Sequence, residues 1–246
     1  MNVRKLSAGA ALVALTAQLW YTFIDFHIYF PVSTCDVEHV ISLFPPADVA
    51  LYRSYVPETY EMPAEPMVKV DFVTVTPTWH EAFVSLRVRY RGEDGWYGVT
   101  WAIDSLGPYA LGYWVGYPKF MADAMTLRRT STGYSATVMS HEETFLAMQF
   151  VKGEANARPL DRQLVEDTAA YFNLMPPLRG PPVNRLANHM LVQSAPTYES
   201  GVVNITVNPK ERWARLVTRG TERTEPGYFV TRGGRAFGFL VAHKLN

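Results

Sequence analysis

Apolar and polar positions alternate in short runs along most of this chain, and the runs predict strands. Val68 to Thr76 is dense in β-branched residues and is closed by Pro77. Glu81 to Tyr90 sets Phe83, Leu86, Val88 and Tyr90 among Ser85, Arg87 and Arg89. The turn-rich Arg91-Gly92-Glu93-Asp94-Gly95 then leads into Trp96 to Ile103, and the pair predicts a β-hairpin. Further short strands are predicted at Thr126 to Arg129, Ser135 to Met139, Thr144 to Val151, Leu186 to Gln193, Gly201 to Val207 and Ala236 to His243. Two segments predict helices. Asp36 to Phe44 has Thr34 or Asp36 as a cap and Pro45-Pro46 as a stop. Leu160 to Phe172 gathers Leu164, Val165, Thr168, Tyr171 and Phe172 on one side, and a proline-rich break from Met175 to Pro182 follows. Many short strands with few helices predict a mainly β (α+β) fold, an antiparallel barrel or sandwich and not a doubly wound sheet. No linker divides residues 25–246, which read as one domain.

The first 24 residues depart from that pattern. Behind Arg4 and Lys5 runs a stretch from Leu6 to Ile24 without a charge, diluted by Ser7, Thr16, Gln18 and Thr22. It fits three readings: a membrane anchor, a secretory signal peptide, or a helix packed on its own domain or a neighbouring subunit. The signal reading is weakened by Leu15 and Ala17 at the cleavage positions. Membrane contact, if any, runs through residues 6–24.

Composition narrows the function classes. The 246 residues are 48% hydrophobic, enough for a well-buried core. Lys+Arg and Asp+Glu balance at 23 each, so no overall charge draws the chain to nucleic acid. Cys35 is the single cysteine, which excludes an intrachain disulfide and a cysteine zinc cage. The six histidines show no HxxxH or HxH spacing, so no metal site is predicted. P-loop, GxGxxG and GxSxG motifs and internal repeats are absent.

One stretch carries chemistry. Lys119 is the only charged residue between Leu106 and Met121, inside the run Gly112-Tyr113-Trp114-Val115-Gly116-Tyr117-Pro118-Lys119-Phe120. Burial among aromatic rings disfavours the ammonium form, and a neutral lysine amine attacks carbonyl carbons to form Schiff bases. The plainer reading is a lysine whose stem lies along the rings and whose head stays in water. Asp71 is the second unusual residue, since aspartate is depleted in strands and needs a partner if it faces inward. Glu81, at a strand start, is by itself an ordinary solvated carboxylate. His80 and His141 read as structural or surface residues. The pair Arg128-Arg129 offers an anion site of which an alternating strand would turn only one member inward.

Three segments in order, Glu65-Pro66-Met67-Val68-Lys69-Val70-Asp71, Trp79-His80-Glu81 and Gly116-Tyr117-Pro118-Lys119, resemble the acetoacetate decarboxylase family. Glu81 and Lys119 lie 38 positions apart, close to its separation, and the resemblance runs from about Phe26 to the C-terminus. It implies a single-domain antiparallel β barrel or cone with a few short helices. It implies that Lys119 forms an imine with a ketone or keto acid, that Glu81 and Asp71 position substrate and move protons, and that no metal or organic cofactor takes part. A homo-oligomer and a cytoplasmic location are implied too, against an anchored or exported chain if residues 6–24 act as anchor or signal. The substrate-contacting side chains are expected to be Tyr113, Trp114, Tyr117 and Phe120. Besides Gly112-Tyr113-Trp114, which stands one residue shorter where the family has Gly-Arg-Glu before the lysine turn, two positions depart from the family. Phe120 stands where its decarboxylases commonly carry a second lysine, and the apolar Phe23 falls where they carry an arginine. The expected activity is therefore decarboxylation of a β-keto acid or a related imine-mediated lyase, aldol or dehydration step on a less charged ketone. The alternative is a non-catalytic module of the same fold that holds an apolar ligand.

Overall fold

The computed structural model describes residues 26–34, 36–76, 79–90, 92–114, 117–153, 174–175, 183–192, 197–232 and 235–244. The expected helix over Leu160 to Phe172, most of the proline-rich break and residues 1–24 lie outside them. Among the described residues fourteen strands form two sheets. In chain order they are β1 (Phe26–Thr34), β2 (Asp36–Phe44), β3 (Val68–Thr76), β4 (Trp79–Tyr90), β5 (Glu93–Ile103), β6 (Lys119–Met121), β7 (Ala124–Arg129), β8 (Gly133–Ser140), β9 (Glu143–Lys152), β10 (Leu174–Met175), β11 (Val183–Val192), β12 (Thr197–Val207), β13 (Glu222–Arg232) and β14 (Arg235–Lys244). Helices α1 (Val49–Tyr55), α2 (Leu106–Trp114) and α3 (Ala214–Val217) are short. The predicted strands from Val68 onward are all present, and the mainly β, antiparallel expectation holds.

The larger sheet runs β6-β5-β4-β3-β2-β13-β12-β9-β8-β7, and the smaller one β1-β14-β11-β10. Every neighbouring pair in the larger sheet is antiparallel except β5 and β6. That sheet curls. Strands β4 and β7, seven places apart in the order, touch each other. One hydrophobic cluster joins Ala102 of β5 to Met125 of β7 by way of Val84, Val70, Val40, Phe229, Val203, Phe150 and Val138. Alternation along each strand puts these residues on the concave, core face and the intervening residues on the other. Helix α1 closes one end. Asp48 caps it by accepting from Leu51 N–H at 2.8 Å. The fully buried Tyr52 donates its hydroxyl to the Arg87 carbonyl, and burial pushes that hydroxyl well above the usual phenol range.

The structure corrects the reading of residues 36–44. They form β2, a central strand bonded to β3 over its length and to β13 from Val37 to Ser42, not a helix. The cap and the Pro-Pro stop delimit a strand equally well, and from Val40 onward both faces are buried, which removes the alternation that marks a half-exposed strand. Pairing on both edges outweighs the local helix signal.

Candidate active site

Strand β4 divides its side chains between two environments. Ala82, Val84 and Leu86 enter the core, while Glu81, Phe83 and Ser85 face the other way. A one-residue bulge in β5 sets what lies opposite them. Ser85 pairs with Gly98 but Val84 with Thr100, so Val99 is the extra residue, and beyond it Trp101 stands opposite Phe83. The two rings stack with centroids 4.2 Å apart.

After β5 the chain crosses through α2 and returns as β6, parallel to β5, as a crossover must. Lys119 is its first residue and the register partner of Trp101, so it shares the face of Glu81 and Phe83. The turn before it is held by Tyr117 N–H donating to the Gly112 carbonyl at 3.0 Å. Gly112 is required here by space. A Cβ on it would lie 2.3 Å from Lys119 Cε and 2.7 Å from Nζ, so the lysine stem runs directly against the helix backbone.

These elements bring Lys119 and Glu81 together. Lys119 Nζ donates to Glu81 Oε1 at 2.7 Å and to the Pro108 carbonyl at 3.3 Å. The second oxygen, Glu81 Oε2, accepts from Trp101 Nε1 at 3.0 Å. The amine also lies 5.2 Å from the Trp101 ring and 5.6 Å from that of Tyr117, and those rings meet edge to face at 4.4 Å. The lysine side chain is 6% exposed and the glutamate 16%. A buried amine with a carboxylate in hydrogen-bond contact can pass a proton to it and recover it, while aromatic walls limit water.

The other expected residues divide. Tyr117 lines the amine. Phe120, next along β6, points to the opposite face and packs against Phe145 at 4.8 Å, so alternation turns whatever stands at 120 away from the amine. Tyr113 and Trp114 end α2, and the structure does not describe their side chains. Asp71 shares the site face and is 4% exposed. It lies in the row Asp71, Phe83, Trp101, Lys119, three strands from the lysine with two rings between, and its partner is His39 at 3.3 Å. Arg128 and Arg129 are both exposed. Trp101, the Pro108 carbonyl, Gly112 and His39 were not anticipated. No group of three His, Cys, Asp or Glu side chains suited to a metal occurs among the described residues.

The curled antiparallel sheet, with one crossover helix delivering a lysine to a carboxylate, defines an acetoacetate decarboxylase-like fold. The family model described as acetoacetate decarboxylase (ADC) matches residues 26–234, and the chain belongs to that family. Among solved structures it is similar to acetoacetate decarboxylase from Legionella pneumophila, with 20% identity, 89% of each chain covered and a TM-score of 0.67. It is similar to the enduracididine biosynthesis enzyme MppR complexed with pyruvate, with 11% identity, 90% of each chain covered and a TM-score of 0.63. A third likeness is to an acetoacetate decarboxylase-like enzyme from Sphingomonas wittichii, with 18% identity, a TM-score of 0.55 and coverage of 89% of this chain and 92% of the other. No curated protein matches the sequence.

Proposed function

We propose that the protein is a Schiff-base-forming lyase acting on a keto acid or ketone, with Lys119 as nucleophile and Glu81 as its proton partner. The observation that carries this is the 2.7 Å contact between a 6% exposed lysine amine and a carboxylate, walled by Trp101 and Tyr117. Glu81 takes a proton from the ammonium, and the neutral amine adds to the carbonyl carbon. Loss of water leaves a protonated imine. That imine draws in the electron pair of the neighbouring bond: carbon dioxide departs from a β-keto acid, or a proton or carbonyl fragment from a related substrate, and an enamine results. Protonation of the enamine carbon and hydrolysis release the ketone and the free amine. Tyr117 and the Phe83–Trp101 stack offer an aromatic surface to the substituents of the carbonyl. Asp71 lies three strands from the reacting amine, with His39 as its partner. The homo-oligomeric state implied by the family belongs to the same reading.

A second reading is a non-catalytic module in which Lys119 and Glu81 remain a closed ion pair under an apolar ligand; the short contact between them favours it. Borohydride trapping separates the two. Incubation with small ketones and keto acids, reduction and peptide mapping should place added mass on Lys119, and Lys119→Arg should abolish it. Absence of any adduct across the panel would give the second reading the field.

A further inference from the structure

The face that carries Lys119 and Glu81 holds another polar pair. His39 on β2 pairs in register with Val73, and Val73 with Glu81, so all three share this face. Two strand spacings, about 10 Å, separate the backbones of His39 and Glu81. His39 Nδ1 lies 3.3 Å from Asp71 Oδ1. Asp71 is buried, so its charge requires a partner, and the same contact fixes the imidazole with Nε2 turned from the carboxylate. The side chains of His39 and Glu81 are open to the same degree, 17% and 16%, with Val73 at 7% between them. The Lys69 ammonium, two residues along β3 from Asp71, lies over aromatic rings, 4.6 Å from that of Trp96 and 5.6 Å from that of Phe83. The surface is apolar in the middle and polar at both ends. The Lys119 and Glu81 end is accounted for by the imine chemistry. The His39 end is not.

We propose that His39, oriented by Asp71, is a specificity residue of this face that binds the remote carboxylate of a keto acid whose carbonyl meets Lys119. A protonated imidazole donates at both nitrogens, which here would serve Asp71 from Nδ1 and the ligand from Nε2. The substrate class is a keto acid whose recognised carboxylate stands several methylenes from the ketone, farther than in a 3-oxo acid. This rests on Lys119 forming imines, and the test keeps the two ideas apart.

Reductive trapping on Lys119 is measured as a function of concentration for matched ligands: 2-hexanone against 5-oxohexanoate, and 2-octanone against 7-oxooctanoate. Within each pair a carboxylate replaces a methyl group. The wild-type protein should reach half-saturation at about tenfold lower concentration, or less, with the longer oxo acid than with its neutral partner, as a charge-assisted hydrogen bond provides. His39→Gln should erase that preference and leave the neutral ketones within about twofold, whereas His39→Lys should keep part of it. Equal half-saturation for acid and ketone at both lengths in the wild type, or a preference that survives His39→Gln, would overturn the proposal, and the wild-type series decides even if a variant fails to fold. Adduct from neutral ketones without acid preference overturns only the His39 subsite. No adduct from any ligand overturns the imine reading and the subsite with it.

Discussion

Replacing Gly112 with alanine adds one methyl group where α2 lies against the side chain of Lys119. The new Cβ would sit 2.3 Å from Cε, 2.5 Å from Cδ and 2.7 Å from Nζ, whereas ordinary contact starts at 3.4 Å. The lysine stem or the helix must therefore retreat by about 1 Å, because repulsion rises steeply inside contact distance. Neither moves without loss. The amine is held by Glu81 Oε1 and the Pro108 carbonyl, and the Gly112 carbonyl is held by Tyr117 N–H. A misplacement of about 1 Å at a reacting group costs about 100-fold in rate. Stability changes less. Crowding costs roughly 1–3 kcal/mol, offset by about 0.5–1 kcal/mol from alanine's better helix propensity. The protein should stay folded with the Lys119 amine displaced. The assay is the rate of borohydride trapping of a small ketone on Lys119, with a denaturant melt alongside. Gly107→Ala, a methyl added to the same helix where nothing lies within 4 Å, is the matched control and should trap at the wild-type rate. Wild-type trapping by Gly112→Ala at unchanged stability would refute the argument, since it would mean that the lysine's position against α2 is immaterial.

Glu81→Gln keeps the shape and a hydrogen-bonding partner for Trp101 but removes the proton acceptor; trapping should fall about 100-fold or more, as general acid–base groups contribute, and a value within threefold of wild type would exclude Glu81 from proton transfer. Phe120→Ala deletes the ring packed on Phe145 and should cost about 2–4 kcal/mol in a urea melt, while trapping per folded molecule stays at the wild-type level. A selective loss of trapping would return Phe120 to the substrate pocket. The Asp48 carboxyl is held below its usual range first by Leu51 N–H, with Arg215 adding to the effect. A carboxyl lowered on folding contributes stability that is present above its unfolded value and is lost as pH falls through the folded one. Wild-type melting temperature should therefore drop more steeply than that of Asp48→Asn as pH falls from about 5 to 3, and parallel curves would contradict the assignment.

The elements legible in the sequence were those whose signal is local. The strand Val68–Thr76 and the hairpin of β4 and β5 announce themselves by β-branching, alternation and a turn, and the lysine by its isolation among aromatic residues. What stayed hidden depends on register. Continuing the pairing of Tyr90 with Glu93 along the hairpin would put Trp101 opposite Ala82, facing the core. Only the extra residue Val99 turns it to face Glu81, and no rule of composition marks Val99 as the bulge. The same dependence hid His39. While residues 36–44 read as a helix, His39 had no reason to share a face with Asp71; as a central strand, β2 places them on one side of the sheet, paired with Val73 and Ile41 in turn. Asp71 illustrates the difference between the two kinds of inference. Its presence within a strand called for a partner if it faced inward, and it is buried beside one. Which partner it takes, His39 at 3.3 Å and not Lys119 three strands away, is a property of strand order, and order is fixed by pairings between residues far apart in the chain. The Lys119–Glu81 pair spans such a distance too, since Lys119 reaches Glu81 only because β5 lies between β4 and β6 and α2 crosses back over one strand. Side-chain chemistry could be read residue by residue; its geometry had to wait for the sheet.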